Sequence, residues 1–274
     1  MTSDVRPSAV SGMFYPSDPA KLHSLLQGLF GRAAMPAARR AVSGLIAPHA
    51  GYAYSGTTAA AGYAALTGAK YDTVVIVSPS HREFFDGVTV YPGDAYATPL
   101  GEVPVHKSLR SRLLERCTDV RLSRRGHGEE HAVEVHLPFL QYQLSSFALL
   151  PLVIGHQTRA ICYGLGECLA DILRGERALL VASTDLSHYH SAPVADRMDQ
   201  LVIDAVNAFD PGALMDLIDS GGAEACGGGP MVVAMLAARM FGANKAHLLK
   251  YANSGDVTGD KSSVVGYASA AYYK

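Results

Sequence analysis

The sequence predicts a single three-layer α/β domain, residues 1–274, with a largely parallel central sheet. Six apolar runs have the length and Val/Ile/Leu richness of buried strands, and helix-period segments lie between them. The composition, 49% hydrophobic and 18% charged over 274 residues, supplies ample apolar material for a sizeable core.

In chain order, a first helix opens at Ser17-Asp18-Pro19, a cap followed by proline, with Leu22, Leu25, Leu26 and Leu29 on one face. The stretch 31–40 reads as its connection to the first strand. Strand runs follow at 42–47, 73–78, 88–91, 149–154, 178–183 and 263–272. Helical periodicity occupies 57–66, 105–115, 161–173, 194–209, 211–218 and 231–241.

A formal charge of −2 gives no electrostatic reason to expect nucleic acid or an anionic membrane as partner. The N-terminus lacks the apolar core of a signal peptide, and no apolar run approaches the roughly 20 residues of a membrane span. Cys117, Cys162, Cys168 and Cys226 form no CxxC pair, and read as reduced thiols of a cytoplasmic protein. The Walker, HExxH and GxSxG motifs are missing, and "GLGECL" falls short of a dinucleotide fingerprint. Asp256 and Asp260 read as loop formers, since calcium-loop spacing is absent.

Three strand runs deliver histidine just past their C-terminal ends: His49 after "SGLIAP", His81 after "DTVVIVSPS", and Asp185, His188 and His190 after "ALLVAST". A single strand-end histidine can simply cap a loop. Parallel strands, however, bring all three ends to the sheet edge where α/β proteins bind ligands. Cys226 precedes three glycines and Pro230 at the start of a helix, where the dipole would favour thiolate. In "GEEHAVEVHLPFLQYQL", helical spacing puts His131 and Glu134 on one face, either orienting a ligand or as a solvated contact. His136 reads as structural, His190 as solvent-exposed, and "RLSRRGHG" as a wetted basic turn.

"IAPHAGYAYSG", "SPSH", "EEHAVEVHLPFLQ", "STDLSHY" and "CGGGP", in this order, closely resemble the Memo family, which includes AmmeMemoRadiSam system protein B. The resemblance spans almost the whole chain and implies a fold like that of class III extradiol dioxygenases, with a non-haem metal site. It implies His49, His81 and Cys226 as metal ligands, iron(II) first, with copper or zinc as alternatives. It implies that Asp185 and His188 line the same pocket, His188 where the dioxygenases have an acid/base histidine, with Phe14 and Tyr54 bordering the site; His131, from its own spacing, is the third candidate catalytic group. Cys226 stands where the dioxygenases carry a carboxylate, and a thiolate is softer and more easily oxidised.

The function expected is redox chemistry on a small molecule or peptide. The alternative is a non-catalytic pocket that binds a peptide or phosphate-bearing ligand or handles metal. A hydrolase with His188 as general base is a third reading. The family name also implies radical-SAM and AMMECR1-like partners.

Overall fold

The computed structural model describes residues 3–33 and 41–274, so most of the connection at 31–40 lies outside the described residues. The elements are β1 (Val5–Arg6), α1 (Pro19–Arg32), β2 (Val42–Ala47), α2 (Tyr52–Ala64), β3 (Thr73–Pro79), β4 (Val88–Val90), β5 (Ala95–Thr98), β6 (Gly101–Pro104), α3 (Lys107–Arg116) and β7 (Val120–Leu122). After a 3-10 turn at Glu134–His136 come α4 (Leu137–Gln143), β8 (Ala148–Ile154), α5 (Arg159–Ile172), β9 (Ala178–Ser183), β10 (His188–His190), α6 (Ala192–Asn207), α7 (Pro211–Asp219), α8 (Gly228–Met240), β11 (Lys245–Asn253), α9 (Gly255–Thr258) and β12 (Val264–Tyr273).

Among the described residues the main sheet has nine strands, ordered β10-β12-β2-β9-β3-β8-β4-β7, with β11 also on β12. The central four, β2, β9, β3 and β8, are parallel, so their C-terminal ends share one edge. β12 and β4 flank them antiparallel. Alternate residues of each central strand enter opposite cores: Val75, Val77, Leu180 and Ala182 on one side, Val74, Ile76, Leu179 and Val181 on the other. Helices α5 to α8 cover the first face and α1, α2 and α4 the second, which is the three-layer arrangement expected.

Several local expectations change. A small sheet, β1-β5-β6, and the long strand β11 carry no apolar-run signal and were not anticipated. α2 begins at Tyr52, so Tyr54 lies in its first turn and Gly56 within the helix, where a Cβ would come within 3.0 Å of Leu29 Cδ1 on α1. No described helix is long and apolar enough to cross a membrane.

The cysteine reading is corrected in part. Cys117, capping α3, and Cys168 on α5 form a disulfide, with Cα atoms 6.0 Å apart and a sequence separation of 51. Cys162 and Cys226 remain free, and burial pushes the Cys162 thiol up to about 12, where it is inert. Closing a loop of that size restricts the unfolded chain by about 4 kcal/mol on the chain-entropy relation. Reduction, or Cys168→Ser, is therefore expected to lower the unfolding temperature by about 10 °C. Thermal scans with and without a phosphine reductant check this; coincident scans would refute it.

Two buried histidines set an acid limit. Burial holds His127 and His136 down at about 3, each neutral and bonded to a tyrosine hydroxyl, Tyr96 and Tyr63 respectively. Their folded values lie below the unfolded value near 6.5, so the unfolded chain binds more protons in that window. Stability is complete above about pH 6.5 and falls with pH, by about 1.4 kcal/mol per unit per histidine. Asp185, raised to about 7 by burial, opposes this with one proton between about pH 4 and 7. His136→Phe should flatten the slope by one proton, read from urea unfolding at pH 5 and 6.5. An unchanged slope would show that His136 is not held neutral.

Candidate metal centre

The loops leaving β2, β3 and β9 meet at the shared sheet edge, together with the turn before α8. His49 is buried, and its main-chain N–H donates to Asp185 Oδ1 at 2.9 Å. Its ring is oriented by Ser183. Ser183 Oγ–H donates to Ala132 O at 2.7 Å, so the hydroxyl accepts from His49 Nδ1–H, also at 2.7 Å. The lone pair of His49 then resides on Nε2, which faces Cys226 Sγ at 3.3 Å and Asp185 Oδ2 at 3.9 Å. Burial, then the fields of His81 and His131, hold His49 well below its ordinary value, so the ring is neutral.

His81 is oriented in the same sense by Glu130. The carboxylate accepts from His81 Nδ1–H at 3.0 Å and from the His81 main-chain N–H, leaving the Nε2 lone pair free. Burial would raise Glu130, but the hydrogen bonds it accepts from the His81 ring and main chain outweigh it and hold the carboxyl at about 2. Glu130 also accepts from the main-chain N–H groups of His131 (2.9 Å) and Ala132 (3.0 Å).

Cys226 is fixed by its main chain. Gln157 donates to Cys226 O and accepts from Gly229 N–H, both at 2.8 Å, clamping the turn from two sides. Gly227 lets this turn approach β9, because a Cβ there would lie 2.1 Å from Ser183 O. The thiolate expected from the helix dipole is not favoured. Burial and the Asp185 carboxylate push the thiol up, and the Sγ–H···Nε2 contact with His49 suits the protonated form.

The donor atoms of His49, His81 and Cys226 lie within 4.8 Å of one another. A tetrahedral ion about 2.0–2.3 Å from each donor separates them by about 3.5 Å, so a small closure seats it. Two imidazole lone pairs and one sulfur converging this way fit a transition metal with open positions. His81, Glu130 and His131 form a second group within the same distance, but the Glu130 oxygens are already engaged by N–H donors. Glu130 therefore orients His81 and does not head a second site.

The remaining residues frame this centre. The His131 ring stacks on His81 with centroids 5.0 Å apart, meets His49 edge-on at 5.4 Å and touches Phe14 at 4.9 Å. Burial lowers His131 to about 4, and its buried Nδ1 has no hydrogen-bond partner among the described residues. The expected His131–Glu134 face does not form, because His131 precedes the 3-10 turn and no continuous helix joins the two. Glu134 instead binds Arg6 at 2.6 Å, the Ala9 and Val10 main-chain N–H groups and the Tyr15 hydroxyl.

His188 is half-buried, with burial lowering it from its ordinary value, and it lies close enough to couple electrostatically to His49. Asp185 Oδ1 is taken by the His49 main chain and does not anchor His188, whose own N–H donates to Glu224 at 3.2 Å. His190 is also held by Glu224, at 3.0 Å. Tyr54 stands 46% exposed, and with Tyr189 and Asp185 it surrounds buried Tyr267 electrostatically. The basic turn is not uniformly wet: His127 is buried within it.

Ser183, Glu130 and Gln157 were not anticipated. Ser183 lay in view at the end of the β9 run, whereas nothing distinguished Glu130 from Glu129, or Gln157 from any loop amide.

Residues 6–271 match the family described as Memo-like protein. A MEMO1 family protein of Methanosarcina mazei is 40% identical over 268 residues, covering 97% of this chain and 98% of the relative. One from Methanothermobacter thermautotrophicus is 38% identical over 276 residues, covering 96% and 99%. Among solved structures, an uncharacterized Escherichia coli K12 protein superposes with a TM-score of 0.51 at 19% identity, over 73% of this chain and 86% of its own. That likeness concerns fold alone, but the sequence matches span nearly everything described above, and the chain belongs to the Memo family.

Proposed function

We propose that His49, His81 and Cys226 hold a redox-active metal, iron or copper, and that the pocket carries out redox chemistry on a small molecule or peptide. One observation carries this reading: Ser183 and Glu130 each occupy an Nδ1, which leaves Nε2 as the ligand atom of both rings in a group whose donor atoms, with the Cys226 sulfur, lie within 4.8 Å of one another. Such orienting contacts are what metal-bound imidazoles require.

When bound, the metal supplies electron transfer and open positions for exchangeable ligands. The chain's own groups handle protons and shape. Asp185, near 7, can hold or release a proton beside His49 Nε2. His188, neutral at pH 7 and half-buried, can accept one from an incoming acidic ligand. His131 packs against the two ligand rings and Phe14 against His131, and exposed Tyr54 is assigned to the substrate side.

Metal analysis of anaerobically purified protein tests the proposal. About one iron or copper per chain is expected, falling at least tenfold in His49→Ala and Cys226→Ser. No redox metal in the parent protein, or equal loading in the variants, would sink it. A thiol beside two imidazoles also suits a metal that is held without turnover, so a non-catalytic binding or metal-handling role is the second reading. Azide or nitric oxide separates the two: a spectral response shows an open redox position, and a silent loaded site supports storage.

A further inference from the structure

An open cleft of about 620 Å³ lies between the segment containing Arg6 to Met13 and the loop containing Arg124 to Glu129. Its volume falls in the range of small-molecule sites, roughly 300–1,000 Å³. Three of its walls continue directly from the centre described above. Met13 adjoins Phe14, which packs on His131; Arg82 follows His81; Glu129 precedes Glu130.

The cations differ in what they are free to do. Arg6 is buried and spent on Glu134 and on loop carbonyls, and Arg124 is paired with Asp4. Arg82 is exposed and has no counter-ion among the described residues, and its charge is felt at His131. Met13, 72% exposed, supplies apolar surface in the same cleft over the buried side chains of Val10 and Tyr91, while exposed Glu129 places one opposing charge there.

We propose that this cleft binds small molecules carrying a carboxylate or phosphate, with Arg82 as the anion anchor and an apolar body against Met13. A guanidinium without a protein partner keeps its planar donors for such groups. A ligand seated there could extend past His131 toward the centre. That extension rests on the metal reading, whereas the anion site does not.

The test is calorimetric titration of the full-length protein with phenyl phosphate, benzoate and neutral phenol, with and without chelator. Both anions should bind, and phenol should bind about tenfold more weakly or worse, with chelator making no difference. Arg82→Ala should weaken the anions about tenfold and Glu129→Gln should tighten them about twofold. Arg116→Ala, an exposed cation outside the cleft, should change nothing. The tighter of the two anions names the ligand class. Anions that bind no better than phenol, an unaffected Arg82→Ala variant, or binding abolished by chelator would each overturn the proposal.

Discussion

Glu134→Ala is expected to destabilise the protein by about 3–5 kcal/mol, because it leaves a buried guanidinium without its counter-ion. Arg6 and Glu134 are both essentially inaccessible and lie 2.6 Å apart. The deletion also removes the acceptor for the Tyr15 hydroxyl and for the Ala9 and Val10 N–H groups, and such buried donors cost about 1–3 kcal/mol each when left unmet. In a chain of this size the unfolding temperature should fall by about 10 °C or more.

The same guanidinium donates to the carbonyls of His127, Gly128 and Glu130, so it ties the N-terminal segment to the loop carrying Glu130 and His131. Metal loading should therefore fall along with stability. An Arg6→Met/Glu134→Leu double variant should cost less than Glu134→Ala, since no charge is then stranded in the core. A loss under about 1 kcal/mol for the single variant would mean that water reaches Arg6 and the network is not closed.

This network also marks where the sequence stops being readable. Runs such as "TVVIVSP" and "ALLVAS" declare parallel strands through composition alone, and parallel strands must end together. The convergence of His49, His81 and Asp185 could thus be anticipated from periodicity and chain direction. Glu134 could not be placed that way. Its partner Arg6 is 128 positions away on a two-residue strand, and the helical spacing that suggested a His131–Glu134 pair fails where the segment turns through 3-10 geometry.

Cys117 and Cys168 were misread for a related reason. A pair separated by 51 residues leaves no local spacing signal, and only the packing of α3 against α5 brings the sulfurs together. β11 lacks the continuous apolar run of a central strand because it borders the sheet, with most of its residues only half-buried. What sequence reading recovers is what repeats locally; contacts fixed by tertiary packing escape it.

Glu130→Gln carries the largest functional effect expected. The substitution keeps the shape but removes the charge, and with its oxygen kept where His81 Nδ1–H, His131 N–H and Ala132 N–H donate, its NH₂ is turned against the His81 main-chain N–H. His81 Nδ1 then loses its charged acceptor, and the tautomer with the proton on Nε2 becomes available. That tautomer presents no lone pair to a metal shared with His49 and Cys226.

Loss of such an orienting carboxylate weakens metal affinity by about 10–100-fold. Competition against a chromophoric chelator measures the affinity, and nitrogen-15 shifts of the His81 ring in metal-free protein report the tautomer. A merely structural Glu130 would lower stability and leave the tautomer unchanged, so the ring shifts separate the two roles. If affinity stays within about twofold while His81 keeps its Nε2 lone pair, the Glu130 hydrogen bonds are not what aims the imidazole. Glu130→Asp, which retains the charge on a shorter arm, should recover part of the affinity if the charge matters, and none if only reach does.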